Sequence, residues 1–295
     1  MHDSHPAPLM DGYHSIDIDG MEQRFFVAGS RDGPVCVAHS GGPGIAWEYL
    51  RMLALEERLR MVYIEPVGTG QSGRFESHPY GYDVDTYARF LYGLVEYLNL
   101  QKVYLLGHSH GGFVAQNFTV AHPEKLAGLI LYDTAPAAGT ELFAEATRNL
   151  ESFRQRNKDR PETASIMRAW YSLGGIAGDA SFRSTLYNLF PAYFADYWKR
   201  EEEFRALRNA VTGSYVGSAK RFDNTDGLAL ITVPTLILVG VHDFICGPRW
   251  AYELRDGIRG SQLVKFAESG HFAHLEETQR FAHVLGEFCG AQRAA

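Results

Sequence analysis

The chain has few cysteines, no long apolar run, no basic stripe and no repeat. Its three cysteines, Cys36, Cys246 and Cys289, are odd in number and far apart. They form no C-x-x-C pair and no disulfide framework, so the fold must be held by its core. Two lie in or beside apolar runs, the sequence setting of buried, reduced thiols. No window approaches 18 unbroken apolar residues, which excludes a membrane-spanning helix. The opening stretch MHDSHPAPLMDGYHS lacks a basic segment followed by an apolar one, so it does not read as a secretory leader. Net charge is −7 with Lys and Arg scattered, a balance of ordinary solubility. That excludes the basic footprint of a nucleic-acid or anionic-membrane binder. Together the absences point to a soluble protein of a reducing compartment, the cytoplasm.

What is present is a core with a regular rhythm. A chain of 295 residues, 45% of them hydrophobic, buries about 75% of its unfolded surface and folds without staples. HSIDIDGMEQRFFVAG sets an Asp19-Gly20 turn between two alternating runs and predicts a β-hairpin. PVCVAHS reads as a short buried strand, followed by a glycine-rich loop and a helical stretch from Trp47 to about Arg60. MVYIE is another strand. In DTYARFLYGLVEYLNL, apolar residues fall at Tyr87, Phe90, Leu91, Leu94, Val95 and Leu98. That is helical spacing, with Asp85 or Thr86 as the N-cap. KVYLL, LAGLILYD, TLILVG and SQLVKF continue the strands; GGFVAQNFTVA, PRWAYELRDGI and QRFAHVLGEFC continue the helices. Short apolar strands alternating with helices predict an α/β fold, a parallel sheet covered on both faces.

The rhythm breaks between about Ala137 and Gly227. That stretch is helical in pattern, has no β-run, and crowds eight aromatics into the span from Phe182 to Phe204. It reads as a helical insertion packed over one edge of the sheet; the alternative is a second domain with its own core. Two parts of one core, 1–136 and 228–295, would then flank an insertion at 137–227.

Gly107-His108-Ser109-His110-Gly111 is the only G-x-S-x-G in the chain, and it sits where strand VYLL turns into helix GFVAQNF. Small residues at 107 and 111 let strand and helix approach closely, and Ser109 takes strained backbone angles. Its hydroxyl projects above the strand ends, where open α/β sheets bind ligands. The N-terminal N–H groups of the next helix face the same point. A serine hydroxyl is a weak nucleophile and needs a base that is itself oriented by a carboxylate. Asp243 follows strand TLILVG and His271 follows strand LVKF, each in a loop at the same sheet edge. Ser109, His271 and Asp243 are therefore the expected nucleophile, base and acid. Asp133, past strand LILY, is the rival acid. His108 and His110 are rival bases whose side chains point away from the hydroxyl of their neighbour. His274 makes an H-x-x-H with His271, but no H-E-x-x-H or Cys/His cluster supports a metal.

Two further glycine-rich loops follow strands. In His39-Ser40-Gly41-Gly42-Pro43-Gly44, Gly42 is the candidate for one oxyanion N–H, the other coming from the backbone of His110. Gly68-Thr69-Gly70-Gln71-Ser72-Gly73 matches the dinucleotide G-x-G-x-x-G, but RFESHPYGYDVD follows instead of a helix. It reads as a tight loop bordering the mouth of the site.

SGGPG, EPVGTGQS, GHSHGG, VGVHD and SGHFAHLEE, with the early hairpin and the helical insertion, resemble the α/β-hydrolase family and its proline iminopeptidase-like branch. The resemblance covers nearly the whole chain. It implies a mostly parallel eight-stranded sheet with a helical cap inserted after the sixth strand. It also carries the nucleophile, acid, base and oxyanion donors onto the residues named above. Two positions depart from the branch: Ser40 stands where His-Gly-Gly-Pro-Gly has histidine, and Glu65-Pro66-Val67-Gly68 replaces Asp-Gln-Arg-Gly. Both lie around the expected substrate mouth, so Ser40 and Glu65 are substrate-binding candidates. In the cap, Tyr197 and Trp198 are candidates for an apolar contact. Aminopeptidases of this branch hold a free amine with cap carboxylates, for which Glu202 in the Glu201-Glu202-Glu203 run is the candidate; the plainer reading is a solvated helix face.

The expected function is a serine hydrolase working through an acyl-enzyme on a small amide or peptide. Esterase, lactonase or thioesterase activity is the alternative. A cofactor-free dioxygenase and a noncatalytic ligand receptor are the readings from other classes. No cofactor and no metal is expected. The expected partner is a small-molecule or short peptide substrate, and no sequence signal sets an oligomeric state.

Overall fold

The Asp19-Gly20 pair turns the chain with both residues at positive φ, 55° and 77°, as a two-residue hairpin requires. It joins β1 (Gly12–Ile18) to β2 (Met21–Gly29), with Ile18 opposite Met21. The computed structural model of the chain describes residues 9–217 and 220–291; residues 1–8 of the opening stretch considered above lie outside them. The apolar runs form β3 (Val35–His39), β4 (Arg60–Glu65), β5 (Val103–His108), β6 (Leu126–Tyr132), β7 (Thr235–Gly240) and β8 (Gln262–Phe266). Among the described residues they make one eight-stranded sheet of order β1-β2-β4-β3-β5-β6-β7-β8. Only β2 runs against its neighbours, so the sheet is mostly parallel.

The helices are α1 (Leu53–Glu56), α2 (Val84–Leu98), α3 (His110–Ala121), α4 (Thr140–Arg156) and α5 (Thr163–Tyr171). They continue as α6 (Asp179–Leu189), α7 (Glu201–Ala210), α8 (Pro248–Gly257), α9 (Ala273–Glu276) and α10 (Thr278–Ala291). Strands β4, β5 and β7 are buried along their whole length because helices cover both faces. Alternate strand residues feed opposite cores. Val62, Leu105, Leu131 and Val239 pack with the apolar faces of α2, α3 and α8. Tyr63, Leu106, Tyr132 and Leu238 pack with Phe281, Leu285 and Phe288 of α10. All six periodic residues of α2 named above are buried.

Two local expectations are corrected. The N-cap of α2 is Asp83, whose side chain accepts from the Thr86 N–H, rather than Asp85 or Thr86. Both sit in the first turn, where Asp85 meets the positive end of the dipole. The stretch from Trp47 to Arg60 is not one helix. It is a 3₁₀ turn at Trp47–Leu50 and the single turn of α1. A tertiary partner takes over there: the Met52 N–H donates to the Tyr63 hydroxyl at 2.9 Å. Trp47 lies flat between Phe26 and Tyr63, which ties the segment to the sheet.

Helices α4 to α7 and short 3₁₀ turns are inserted between β6 and its parallel neighbour β7, forming the helical cap. Leu150, Phe153, Ile166 and Trp170 make a cluster of the cap's own. Phe190, Phe194, Tyr197 and Phe204 instead join the core beneath β5 and β6, together with Phe272. Each such ring contributes about 1.5–3 kcal/mol on full burial. The aromatic run is thus what seats the cap on the sheet.

Candidate active site

β5 ends at His108 and α3 begins at His110, which leaves Ser109 alone in the turn at φ 54°, ψ −120°. A non-glycine residue held there is strained and needs its surroundings to fix it. The Ser109 N–H donates to Tyr132 O at 2.9 Å, and Thr134 Oγ1 donates to Ser109 O at 2.7 Å. A Cβ on Gly107 would stand 2.3 Å from Gly111 O, and one on Gly111 2.3 Å from His39 O. Glycine is the residue that fits at either position.

Asp243 follows β7 and is fully buried at its carboxylate. Oδ1 accepts from the Ile245 N–H at 2.9 Å and Oδ2 from His271 Nδ1 at 2.7 Å. The Asp243 contact puts the ring proton on Nδ1 and leaves Nε2 as the basic nitrogen. His271 is anchored by its N–H to Tyr193 O at 2.6 Å. The two loops are stitched by Val241 N–H to Phe266 O and His242 N–H to Ser269 O, both 2.9 Å. Glu276 accepts from the Gly270 N–H at 2.7 Å and the Ala195 N–H at 2.9 Å, joining the histidine loop to the cap. Burial pushes the Glu276 carboxyl up to about 7. Glu277 accepts from the Glu268 N–H and the Ser269 hydroxyl.

Ser109 and His271 line one cavity of about 80 Å³. Gly41, Gly42, Ile45, Tyr49, Ile245 and Phe272 supply its rim, and Leu186, Phe190, Tyr193 and Val211 come from the cap. Among the described residues no carboxylate lines it other than through His271, since neither an Asp nor a Glu faces it. Among the described residues the amides of Gly42 and His110 have no protein acceptor. His110 adjoins Ser109 and Gly42 lines the same cavity, so both N–H groups are free to donate to a substrate oxygen that develops negative charge.

The rival residues have other partners. Asp133 is wholly buried at φ 44°; Oδ1 accepts from the Gly240 N–H at 2.8 Å, and Oδ2 has no partner among the described residues. Burial, reinforced by the charge of Asp243, pushes its carboxyl well above the usual range. His274 contacts the Tyr132 hydroxyl through Nδ1 and Tyr49 O through Nε2, both at 2.9 Å. Its ring is therefore a packed polar element, and burial holds it neutral, down at about 4. His110 meets the ring of Tyr87 edge-on, 5.5 Å between centroids. His108, Asp133 and His271 bring one potential ligand atom each within 4.8 Å of one another. Both nitrogens of His108 are already engaged, with Tyr49 and with His271 O, so this donor set does not open toward an ion.

The five substrate-binding candidates do not reach this cavity. Ser40 is buried and donates to Ile45 O at 3.2 Å. Glu65 is buried beneath the Gly68–Gly73 loop, accepting from Gln71 N–H and from Ser72 N–H. That loop closes on Glu65, and none of its residues lines the Ser109 cavity. Tyr197 lies in the aromatic seat of the cap. Trp198 stacks on Phe153 beneath Arg160. Glu202 is exposed, and its neighbour Glu203 pairs with Arg200. The sequence reading missed Tyr49, Tyr193 and Glu276. Only Glu276 carried a signal, as a carboxylate five residues after His271 in SGHFAHLEE.

A family model of the alpha/beta hydrolase fold matches residues 33–278. The chain belongs to that family. Within it, the chain is 29% identical to the proline iminopeptidase of Lactobacillus helveticus over 286 residues, 91% of this chain and 94% of that protein. It is 26% identical to 2-hydroxymuconate semialdehyde hydrolase of a Pseudomonas species, across 89% of this chain and 88% of the relative. Among solved structures, the enol-lactonase of Burkholderia xenovorans superposes with TM-score 0.69 at 20% identity, covering 93% of this chain and 99% of that one. A thermophilic esterase of Thermogutta terrifontis gives 0.70 at 24%, covering 94% and 97%. These likenesses bear on the α/β-hydrolase sheet and cap, and among the described residues no helix is long and apolar enough to cross a membrane.

Proposed function

We propose that the protein is a serine hydrolase that forms an acyl-enzyme on Ser109. The observation that carries this reading is the His271 Nδ1–Asp243 Oδ2 contact of 2.7 Å beside a strained Ser109 in the same cavity. In this mechanism Ser109 Oγ attacks a carbonyl carbon while His271 Nε2 takes the hydroxyl proton. Asp243 stabilises the imidazolium so formed. The carbonyl oxygen becomes an oxyanion held by the N–H groups of Gly42 and His110. Collapse breaks the bond to the leaving group, which departs with the proton from His271. Water, deprotonated by His271, then releases the acid and restores Ser109.

The cavity size and lining support a compact, apolar acyl group. A wider cavity of about 390 Å³, lined in part by Pro43, His110, Phe113 and Phe222, takes the leaving group in this reading. The relatives support a small amide or peptide, as in a proline iminopeptidase. The absence of a carboxylate facing the cavity among the described residues favours a second reading, an ester or lactone without a free amine. Segment 137–227 acts as the cap that closes the acyl pocket over the two core parts, 1–136 and 228–295. Three buried, unpaired cysteines fit a cytoplasmic protein.

The test is a fluorophosphonate probe followed by a substrate panel. Covalent labelling of Ser109, lost in Ser109→Ala, is expected. No labelling together with no ester or amide turnover would overturn the proposal. Proline arylamide set against aryl esters and lactones then separates the two readings: turnover of N-blocked and ester substrates alone selects the second.

A further inference from the structure

His108 precedes the serine yet takes no part in the mechanism above, and it is 1% exposed. Its Nε2 stands 3.0 Å from His271 O, and its Nδ1 stands 2.7 Å from the Tyr49 hydroxyl. A carbonyl oxygen only accepts, so Nε2 carries the proton and donates it to His271 O. Nδ1 is then a bare lone pair and accepts from the Tyr49 O–H. The Tyr49 oxygen in turn accepts from the Gly41 N–H at 2.7 Å. Every donor has one acceptor, and the direction of the chain is fixed: Gly41 N–H to Tyr49 O–H to His108, and His108 to His271.

This chain crosses three loops that the proposed mechanism must hold in register. Gly41 adjoins the candidate oxyanion donor Gly42, and a Cβ on Gly41 would meet Ser109 Cβ at 2.9 Å. His108 adjoins the nucleophile, and its ring centroid lies 4.5 Å from that of His271. Burial first, and then the neighbouring His271 and His274, hold His108 well below the ordinary histidine value, so it stays neutral. Burial likewise keeps the Tyr49 hydroxyl protonated and able to donate.

Resting on the serine-hydrolase reading, we infer that Tyr49 and His108 are positioning residues that lock the oxyanion loop, the elbow and the base loop at one spacing. Both line the Ser109 cavity, and their polar atoms are engaged in this chain rather than turned to the substrate. They act through Gly42 and His271, so their loss moves turnover more than substrate binding.

The experiment compares wild type, Tyr49→Phe, His108→Leu, the double variant and His108→Gln on the best ester or amide of the panel. A glutamine amide keeps one donor and one acceptor, and so offers the chain a partial replacement. Tyr49→Phe and His108→Leu are each expected to lower kcat about 10- to 100-fold with KM within about twofold. The double variant is expected to lose no more than the worse single variant, as members of one chain do. His108→Gln is expected to recover much of the loss. If His108→Leu does not fold, His108→Gln and Tyr49→Phe carry the comparison. Unchanged kcat in Tyr49→Phe, additive losses, or a rise confined to KM would overturn the inference. A wild type that neither labels nor turns over would instead overturn the hydrolase reading.

Discussion

The loops after β6 and β7 present the same residue at the same sheet edge, and the two aspartates have different partners. Asp243 accepts from a ring nitrogen and a backbone N–H, one on each oxygen. Asp133 accepts one backbone N–H, and its second oxygen has no partner among the described residues. Both are buried, so burial alone does not separate them. The separation comes from partners: both oxygens of Asp243 are satisfied, while Asp133 keeps one oxygen bare in a buried site that raises its carboxyl well above the usual range. The lesson is that position at a strand end makes an aspartate available, while the imidazole that reaches it decides its role.

The sharpest way to break this comparison is to swap each acid for its neutral isostere. Asp243→Asn leaves His271 without its anionic partner and is expected to lower kcat by roughly 10⁴-fold. Asp133→Asn replaces a carboxyl that has no partner on one oxygen and is expected to change kcat less than about tenfold. Steady-state kinetics on one substrate check both, and the reverse ranking would exchange the two roles.

A pH series sharpens the same contrast through stability. His39 and His274, held down at about 4 by burial, His110, held down at about 3, and His108, held well below its ordinary value, charge in the unfolded chain below about 6.5 but not in the fold. Their folded pKa is depressed, so stability is lost as pH falls through this range. Asp133 and Glu276 run the other way. Their raised pKa keeps protons in the fold that the unfolded chain has released, so their ionisation removes stability as pH rises. Between pH 6.5 and 5 the four histidines outnumber the two acids, so stability is expected to fall as pH falls. Asp133→Asn removes one of the opposing groups and is expected to steepen that fall. Urea midpoints across this range measure the slope, and no change would mean that Asp133 is ionised in the fold.

The smallest effect is expected at the brace outside the pair. Glu276→Gln keeps one acceptor of two, leaving either Gly270 or Ala195 without its partner. It is expected to lower stability by about 1 kcal/mol, read by urea unfolding, and to leave the ranking of the aspartates intact.

What was legible in the sequence were the features that depend on neighbours along the chain. Apolar runs gave the strands, the glycines around Ser109 gave the elbow, and loop positions after strands gave Asp243 and His271. The choice between Asp133 and Asp243 stayed open because it depends on which carboxylate the His271 ring reaches. Tyr49 was hidden inside a stretch of helical pattern whose helix is interrupted by contacts with Tyr63 on the sheet. Tyr197 and Trp198 were read as substrate contacts because an aromatic run looks the same whether it faces a ligand or seats a cap. Glu202 fell to its plainer reading, a solvated face.

The cap enters the sequence between two strands that are neighbours in the sheet, so it interrupts the chain without interrupting the strand order. Its ties to the base loop use main-chain groups on the cap side, Tyr193 O to His271 and Ala195 N–H to Glu276, beside one side chain, Arg200, which donates to Leu275 O and Glu276 O. Main-chain groups survive any change of side chain. Leu186 and Val211 are thus at liberty to vary while the loops that carry Ser109 and His271 keep their positions. The segment is fastened by its backbone and its aromatic seat, which leaves the wall it turns to the cavity open to change without disturbing the loops beneath.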